Sequence, residues 1–210
     1  MIKVLIADDH PIVRQGLRQI LSGTTDMEVA GEAVNSQEAL DQVRGGGWDV
    51  LVLDMTMPGR SGFDILKELK YEQPDLPVLV LSIHAEEQFA IRVLKAGASG
   101  YLTKENAPDE LVKAIRKVVN GGKYISSKLA ENLAFGLDAA SDRPRHETLS
   151  DREFQVMQLM ANGKTLTEIA EDLSLSAKTV STYRTRLLEK LNLKTNAELM
   201  RYAIENRLFE

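Results

Sequence analysis

Val50-Leu-Val-Leu-Asp54 is the stretch that decides the fold: an unbroken apolar run that ends on a carboxylate. Such a run, with no polar alternation, predicts a parallel strand covered on both faces. The pattern recurs on both sides of it. Lys3-Val-Leu-Ile-Ala7 ends on Asp8 and Asp9, Val78-Leu-Val-Leu81 on Ser82, and Gly100-Tyr-Leu-Thr103 on Lys104. In an open α/β sheet the ligand crevice lies outside the carboxyl ends of the strands, so these side chains should meet at one site. Carboxylates joined by one lysine and one hydroxyl suit a hard cation and a phosphoryl group. An aspartate at a single strand end is more often a helix cap, but agreement among four strand ends favours a shared site.

Helical patterns alternate with these strands. Ile12, Leu17, Ile20 and Leu21 mark the first, with Pro11 tolerated in its opening turn; Ala39, Leu40 and Val43 mark the second, with Ser36 as N-cap. Phe63, Leu66 and Leu69 mark the third, Phe89, Val93 and Leu94 the fourth, and Leu111, Ile115 and Val118 the fifth. With a strand around Val29, this predicts a doubly wound (βα)5 α/β domain. Gly45-Gly-Gly47 precedes a strand rather than a helix, so it reads as a loop anchored by Trp48 and not as a phosphate cradle.

After Val119 no strand pattern returns. Gly121-Gly122 stops the fifth helix, Ser127 to Ala140 can form one amphipathic helix, and Ser141 to Glu147 reads as a mobile polar linker. The boundaries expected are 1–122 for the first domain, 123–147 for the linker and 148–210 for a small all-α domain. In the latter, Ser150 and Glu153 form a capping box before Val156, Leu159 and Met160. Thr167 to Leu173 is a short helix, Ser174-Leu-Ser176 a tight turn, and Ala177 to Leu191 a longer helix capped by Ser176. That is a helix-turn-helix, followed by a last helix from Asn196 to Asn206.

Composition narrows the function classes. The 210-residue chain has no cysteine, which excludes disulfide frameworks, thiolate zinc sites and thiol nucleophiles. The first apolar run breaks at Asp8, too short for a signal-peptide core or membrane span, so a soluble cytoplasmic protein is expected, without membrane partners. The net charge of −5 argues against bulk affinity for nucleic acid, although a local basic helix can hide within such a sum. His10, His84 and His146 lack metal-ligand spacing.

The predicted strand-end site has a definite chemistry. Mg2+ keeps several waters and needs only two or three carboxylates. Asp9 and Asp54 would bind it, with Asp8 holding a water or Asp9. Crowded carboxylates raise the value of the cation and leave Asp54 a nucleophile for phosphorus. Lys104 can pair first with Asp54 and then with a phosphoryl oxygen, while Ser82 can donate to another. In the second domain, helical angles put Val180, Leu187 and Leu191 on the core side and Tyr183 at its margin. Lys178, Thr182, Thr185 and Arg186 point away, flanked by Ser181. Ser and Thr there can contact base edges, and Lys178, Arg186 and Lys190 can neutralise phosphates. Arg184 lies near the core margin and can snorkel.

Asp8-Asp9-His10-Pro11, Asp54-Met-Thr-Met-Pro58-Gly59, Gly62, Ser82 and Ala98-Ser-Gly-Tyr101-Leu-Thr-Lys104 resemble the flavodoxin-like receiver domain of two-component response regulators. Leu149-Ser-Asp-Arg-Glu153, Glu168-Ile-Ala170, Leu173, Ser176, Lys178-Thr-Val180 and Lys190-Leu191 resemble the LuxR-type helix-turn-helix, and the two together are similar to the NarL/FixJ family. The resemblance implies a phosphorylation-gated transcription regulator. Asp54 would accept a phosphoryl group from a sensor histidine kinase or a small donor, with Mg2+ held by Asp9, Asp54 and the Thr56 carbonyl. Ser82 and Tyr101 would be the switch residues, Tyr101 turning into space vacated when Ser82 moves inward. Promoter DNA, a homodimer formed on phosphorylation and RNA polymerase are the partners expected, and no enzymatic activity beyond slow autodephosphorylation. Ser181 stands where many LuxR-type recognition helices carry lysine, so no operator sequence carries over.

Two other classes fit parts of this pattern. A haloacid-dehalogenase-like phosphatase would need a general acid two residues past the nucleophile, where Thr56 stands. An adaptor whose receiver regulates a protein target would not need the polar, base-flanked helix. The last helix carries Leu199, Tyr202 and Ala203 on one stripe, which could pair two chains or simply cap the domain core.

Overall fold

The computed structural model describes residues 1–57, 60, 62–82, 86–126, 130, 144–173, 175–206 and 208. The chain divides into two units, Met1–Ala130 and Glu131–Glu210.

The first unit runs β1 (Ile2–Ala7), α1 (Pro11–Ser22), β2 (Met27–Ala33), α2 (Ser36–Gly45), β3 (Val50–Asp54), α3 (Gly62–Glu72), β4 (Val78–Ser82), α4 (Glu86–Lys95), β5 (Gly100–Thr103) and α5 (Ala107–Val119). The strands form one parallel sheet in the order β2-β1-β3-β4-β5. Every residue of β3 and β4 is buried, as their uninterrupted apolar runs require. On one face Val4, Ile6, Val50, Val52, Leu79 and Leu81 pack with Leu17, Leu21, Leu111, Ile115 and Val118 from α1 and α5. Alternation turns Leu5, Leu51, Leu53, Val80 and Tyr101 to the opposite face, and these are also buried. Strand order reverses between β1 and β3, so the carboxyl ends of those two strands flank the topological switch point of the sheet.

The five helices predicted to alternate with the strands are present, with local differences. Ile12 is 84 % exposed and takes no part in the core side of α1. Asn35, rather than Ser36, caps α2: its side chain accepts from Glu38 N at 2.9 Å, and Ser36 instead donates to the Arg60 carbonyl at 3.2 Å. The Trp48 anchor is borne out. Its indole donates to the Gln42 carbonyl at 2.7 Å and fills the space beside Gly31, where any side chain would collide with it. A bulge between Val4 and Leu5 of the β1–β2 pairing brings Gly31 there.

The stretch read as a linker is narrower at both edges among the described residues. Tyr124 is buried and bonded to the edge of β5, its carbonyl accepting from Tyr101 N at 2.9 Å and its N–H donating to Ser99 O at 3.0 Å. Arg145–Thr148 forms a 3-10 turn, in which His146 is buried with Nδ1 3.0 Å from the Tyr202 hydroxyl. Polar composition hid both edges because backbone pairing and a buried imidazole leave no apolar period. The helix expected over 127–140 lies outside the described residues, apart from Ala130.

The second unit carries α6 (Asp151–Ala161), α7 (Leu166–Asp172), α8 (Ala177–Leu191) and α9 (Asn196–Glu205). Ser150 and Glu153 form the expected capping box on α6, and Thr165 and Glu168 form a second that starts α7 one residue earlier than predicted. Ser176 caps α8, as expected. The core joins Phe154, Val156, Met157, Ile169, Val180, Leu187, Leu191, Leu199 and Ala203.

Candidate functional site

The strand order brings Asp8 and Asp9 from the end of β1, Asp54 from the end of β3, Ser82 from β4 and Lys104 from beyond β5 to one edge of the sheet. Asp8 and Asp54 are each 1 % exposed and Ser82 is fully buried. Lys104 Nζ lies 2.8 Å from both Asp8 Oδ2 and Asp54 Oδ2. Burial alone would lower the Lys104 pKa, but the two carboxylates outweigh it and hold the ammonium above the usual lysine value. Its backbone is fixed as well, since Lys104 N donates to the Ser82 carbonyl at 2.8 Å.

One ligand atom each from Asp8, Asp9, His10 and Asp54 falls within 4.8 Å of the others, a grouping able to hold a metal ion. Asp8 Oδ2 and Asp9 Oδ1 are buried, with Lys104 Nζ 2.8 Å from the first and His10 Nδ1 2.8 Å from the second. Three carboxylates in this state form a hard oxygen donor set that fits a divalent cation. The sequence reading did not place His10 beside these carboxylates; its Nδ1 lies 2.8 Å from Asp9 Oδ1 and 3.3 Å from Asp8 Oδ1. No spacing motif could reveal it, because the β1–α1 turn folds its ring back onto the two preceding carboxylates.

Thr56 contributes more than the carbonyl expected of it. Its hydroxyl lies 2.9 and 3.1 Å from the two Asp54 oxygens, and its N–H donates to Asp54 Oδ1 at 3.1 Å. An aspartate bonding backbone two residues on is a local turn device, the signal that could have found this contact. Arg14 was missed altogether: it donates to the Asp8 carbonyl at 2.8 Å and to Glu32 at 2.9 Å, holding the acidic turn from outside. Tyr101 is fully buried, its ring centroid 6.2 Å from that of Phe89.

On α8 the two sides separate as the helical angles predict. Val180, Leu187 and Leu191 are fully buried, and Lys178, Ser181, Thr182, Thr185 and Arg186 are exposed. Thr182 and Thr185 hydroxyls donate to carbonyls one turn back, Lys178 O and Ser181 O. Arg184 Nε donates to Asn196 Oδ1 at 2.7 Å. Lys190, also exposed, has a partner within the domain: its ammonium lies 2.6 Å from Glu153 Oε2, a buried carboxylate on α6. Of the two readings of the α9 stripe, the structure shows the one in which it caps the domain core. Leu199 and Ala203 are fully buried in the domain core and Tyr202 bonds His146, while Met200 and Ile204 are the exposed apolar pair.

Residues 4–116 match the response regulator receiver domain, and residues 147–203 match the bacterial regulatory proteins of the luxR family. The chain is 38 % identical over 209 residues to response regulator UvrY of Escherichia coli strain K12, covering 99 % of this chain and 96 % of that protein. The chain belongs to the response-regulator family. It is also 39 % identical over 216 residues to the oxygen regulatory protein NreC of Staphylococcus carnosus, covering 99 % of each. Among solved structures, RcsB from Salmonella enterica serovar Typhimurium, bound to promoter rprA in the presence of the phosphomimetic BeF3−, matches with a TM-score of 0.70 at 30 % identity, over 96 % of this chain and 97 % of that one. This response regulator therefore pairs a flavodoxin-like receiver with a LuxR-type helical domain. No helix among its described residues is long and apolar enough to cross a membrane.

Proposed function

We propose that this response regulator is a cytoplasmic transcription regulator whose binding to promoter DNA is gated by phosphorylation of Asp54. The observation that carries the reading is the placement of Asp54 at the end of the central strand, in contact with Lys104 at 2.8 Å and grouped with Asp8 and Asp9. A carboxylate oxygen of Asp54 attacks the phosphorus of a sensor kinase phosphohistidine, the new P–O bond forming as the P–N bond breaks and the imidazole leaves. Asp8, Asp9, Asp54 and the Thr56 carbonyl would hold Mg2+, which supplies charge neutralisation for the phosphoryl oxygens. Lys104 moves its pairing from Asp54 to a phosphoryl oxygen, and Ser82 donates to another. Thr56 Oγ1 must release the Asp54 oxygens for the attack. Apart from slow hydrolysis of its own aspartyl phosphate, no turnover is proposed.

The DNA reading rests on α8, whose exposed side offers Ser181, Thr182 and Thr185 to base edges with Lys178 and Arg186 at its margins. A similar protein, RcsB, has been solved on promoter DNA. A homodimer of the phosphorylated form would use the exposed Met200 and Ile204 of α9, and would set two recognition helices about 34 Å apart. RNA polymerase is a further partner of such a dimer. Ser82 and Tyr101 carry the switch, from the phosphoryl group to the face of α4, β5 and α5.

Incubation with acetyl phosphate and Mg2+, read by intact-protein mass spectrometry, is expected to add one phosphoryl group to the wild type and none to Asp54→Ala. Full labelling of that variant would overturn the assignment.

A further inference from the structure

Glu153 is a buried carboxylate, its side chain 4 % exposed, at the first turn of α6. Its Oε2 accepts from Ser150 N at 2.7 Å and from Lys190 Nζ at 2.6 Å, while its own N–H donates to Ser150 Oγ at 3.4 Å. Burial of an anion is costly unless it is both hydrogen-bonded and paired with a cation. The capping box supplies the first and Lys190 the second. Burial alone would raise the Glu153 pKa, but Lys190 and the Ser150 bonds outweigh it and keep the group ionised.

The position of this pair along α8 gives it a consequence. Polar contacts to other elements gather at the carboxyl-terminal part of the helix: Lys190 to Glu153 on α6, the Leu191 carbonyl to Arg145 at 3.2 Å, and Arg184 to Asn196 at the start of α9 at 2.7 Å. Toward the amino end Lys178, Ser181 and Thr182 face solvent, and the hydroxyl bonds of Thr182 and Thr185 stay inside the helix. The helix is held at one end and presents the other. Because a hydrogen-bonded helix turns as a rigid rod, a rotation where Lys190 is held turns the whole exposed side by the same angle.

We propose that Glu153 and Lys190 are positioning residues that set the rotation of α8 against α6, and so determine which bases its exposed side can reach. The inference rests on the DNA reading above. It gives Lys190 a role different from a phosphate contact, and the two roles separate experimentally. Loss of a phosphate contact weakens binding to all duplexes and lowers the salt slope by about 0.9. Loss of a positioning pair reduces discrimination and leaves the slope unchanged.

The test uses the phosphorylated full chain, a duplex selected by the wild type from a random library, and a scrambled duplex of the same length. Lys190→Met and Glu153→Gln should each weaken binding to the selected duplex about tenfold while scarcely changing the scrambled one, and the double variant should be no worse than either single change. Lys190→Arg should restore discrimination. Thermal melting places all measurements below each variant's transition; if Lys190→Met does not fold, Glu153→Gln and Lys190→Arg carry the comparison. A slope lowered by about 0.9 in Lys190→Met, with Glu153→Gln binding like wild type, overturns the proposal in favour of a phosphate contact. Wild-type discrimination in both single variants overturns it as well. A wild-type chain that selects no duplex overturns the DNA reading itself, before any variant is made.

Discussion

At the receiver strand ends Asp8 and Asp54 are 1 % exposed and share one lysine, whereas on α8 Lys178, Ser181, Thr182, Thr185 and Arg186 all stand in solvent. The first arrangement concentrates charge where water cannot screen it, so adding or removing one charge has a large effect. The second spreads weak contacts over a surface, where affinity depends on how many contacts reach a partner at once. Chemistry suits the buried cluster and recognition suits the exposed helix. Glu153 belongs to the first kind by its burial, while its partner Lys190 is part-exposed and, in the positioning role proposed above, acts on the second by holding the helix.

The largest effect expected from this contrast is at Lys104. Lys104→Met leaves Asp8 and Asp54 buried without their shared cation, and should destabilise the receiver by about 3–5 kcal/mol. Mg2+ should stabilise the variant more than the wild type, because it replaces a charge the wild type already has. Urea denaturation with and without Mg2+ reads both; equal Mg2+ effects on the two proteins would show that Lys104 and the cation do not serve the same carboxylates. Since the Lys104 pKa is raised on folding, its contribution should persist through neutral pH and fade as pH rises past the usual lysine value and through the folded one.

An intermediate effect is expected at Glu153. Its pKa is held below the unfolded value, about 4.3, so its contribution is present above that value and is lost as pH falls through the folded pKa. Hydrogen exchange of α6 and α8 amides in the full chain should show protection decreasing over that window. Glu153→Gln should cost about 1–3 kcal/mol near neutral pH. It should also flatten the acid dependence without removing it, since the Thr165 bonds hold Glu168 below its usual value too. An unchanged acid profile in Glu153→Gln would mean the Glu153–Lys190 pair is not what anchors α8.

The smallest individual effects belong to the exposed side of α8. Lys178→Ala and Arg186→Ala should each lower the salt slope of DNA binding by up to about 0.9. Ser181→Ala and Thr182→Ala should relax base preference, each by about 1 kcal/mol, and leave the slope alone. Binding titrations from 50 to 200 mM salt, roughly the range over which such slopes are resolved, distinguish the two classes. Salt slopes that fall in the serine and threonine variants instead would place this side of the helix along the backbone rather than in the groove.

The same contrast explains what could be read from the chain alone. Val50 to Leu53 and Val78 to Leu81 are buried on both faces, so strand identity and strand-end chemistry appear together in the linear order, and Asp54, Ser82 and Lys104 followed from them. The exposed side of α8 was legible for a similar reason, because Val180, Leu187 and Leu191 fix the helical phase. Contacts made by turns were not. His10 reaches the carboxylates, Thr56 covers Asp54 and Arg14 holds the Asp8 carbonyl through loop geometry that has no period. The Lys190–Glu153 contact was not legible because one charged side chain at a helix margin suits a phosphate or a buried carboxylate equally well, and only the fold brings Glu153 to it. Tyr202 and His146 were hidden by a separation of 56 positions in the sequence.

The most direct test of phosphorylation-gated DNA binding is the affinity of the full chain for a library-selected duplex, measured at one salt concentration with and without acetyl phosphate and Mg2+, in the wild type and in Asp54→Ala. A gating differential of about 1.4 kcal/mol predicts roughly tenfold tighter binding by the phosphorylated wild type and no response in Asp54→Ala. Equal wild-type affinities in the two conditions, or a tenfold response that survives in Asp54→Ala, would contradict control of DNA binding through Asp54.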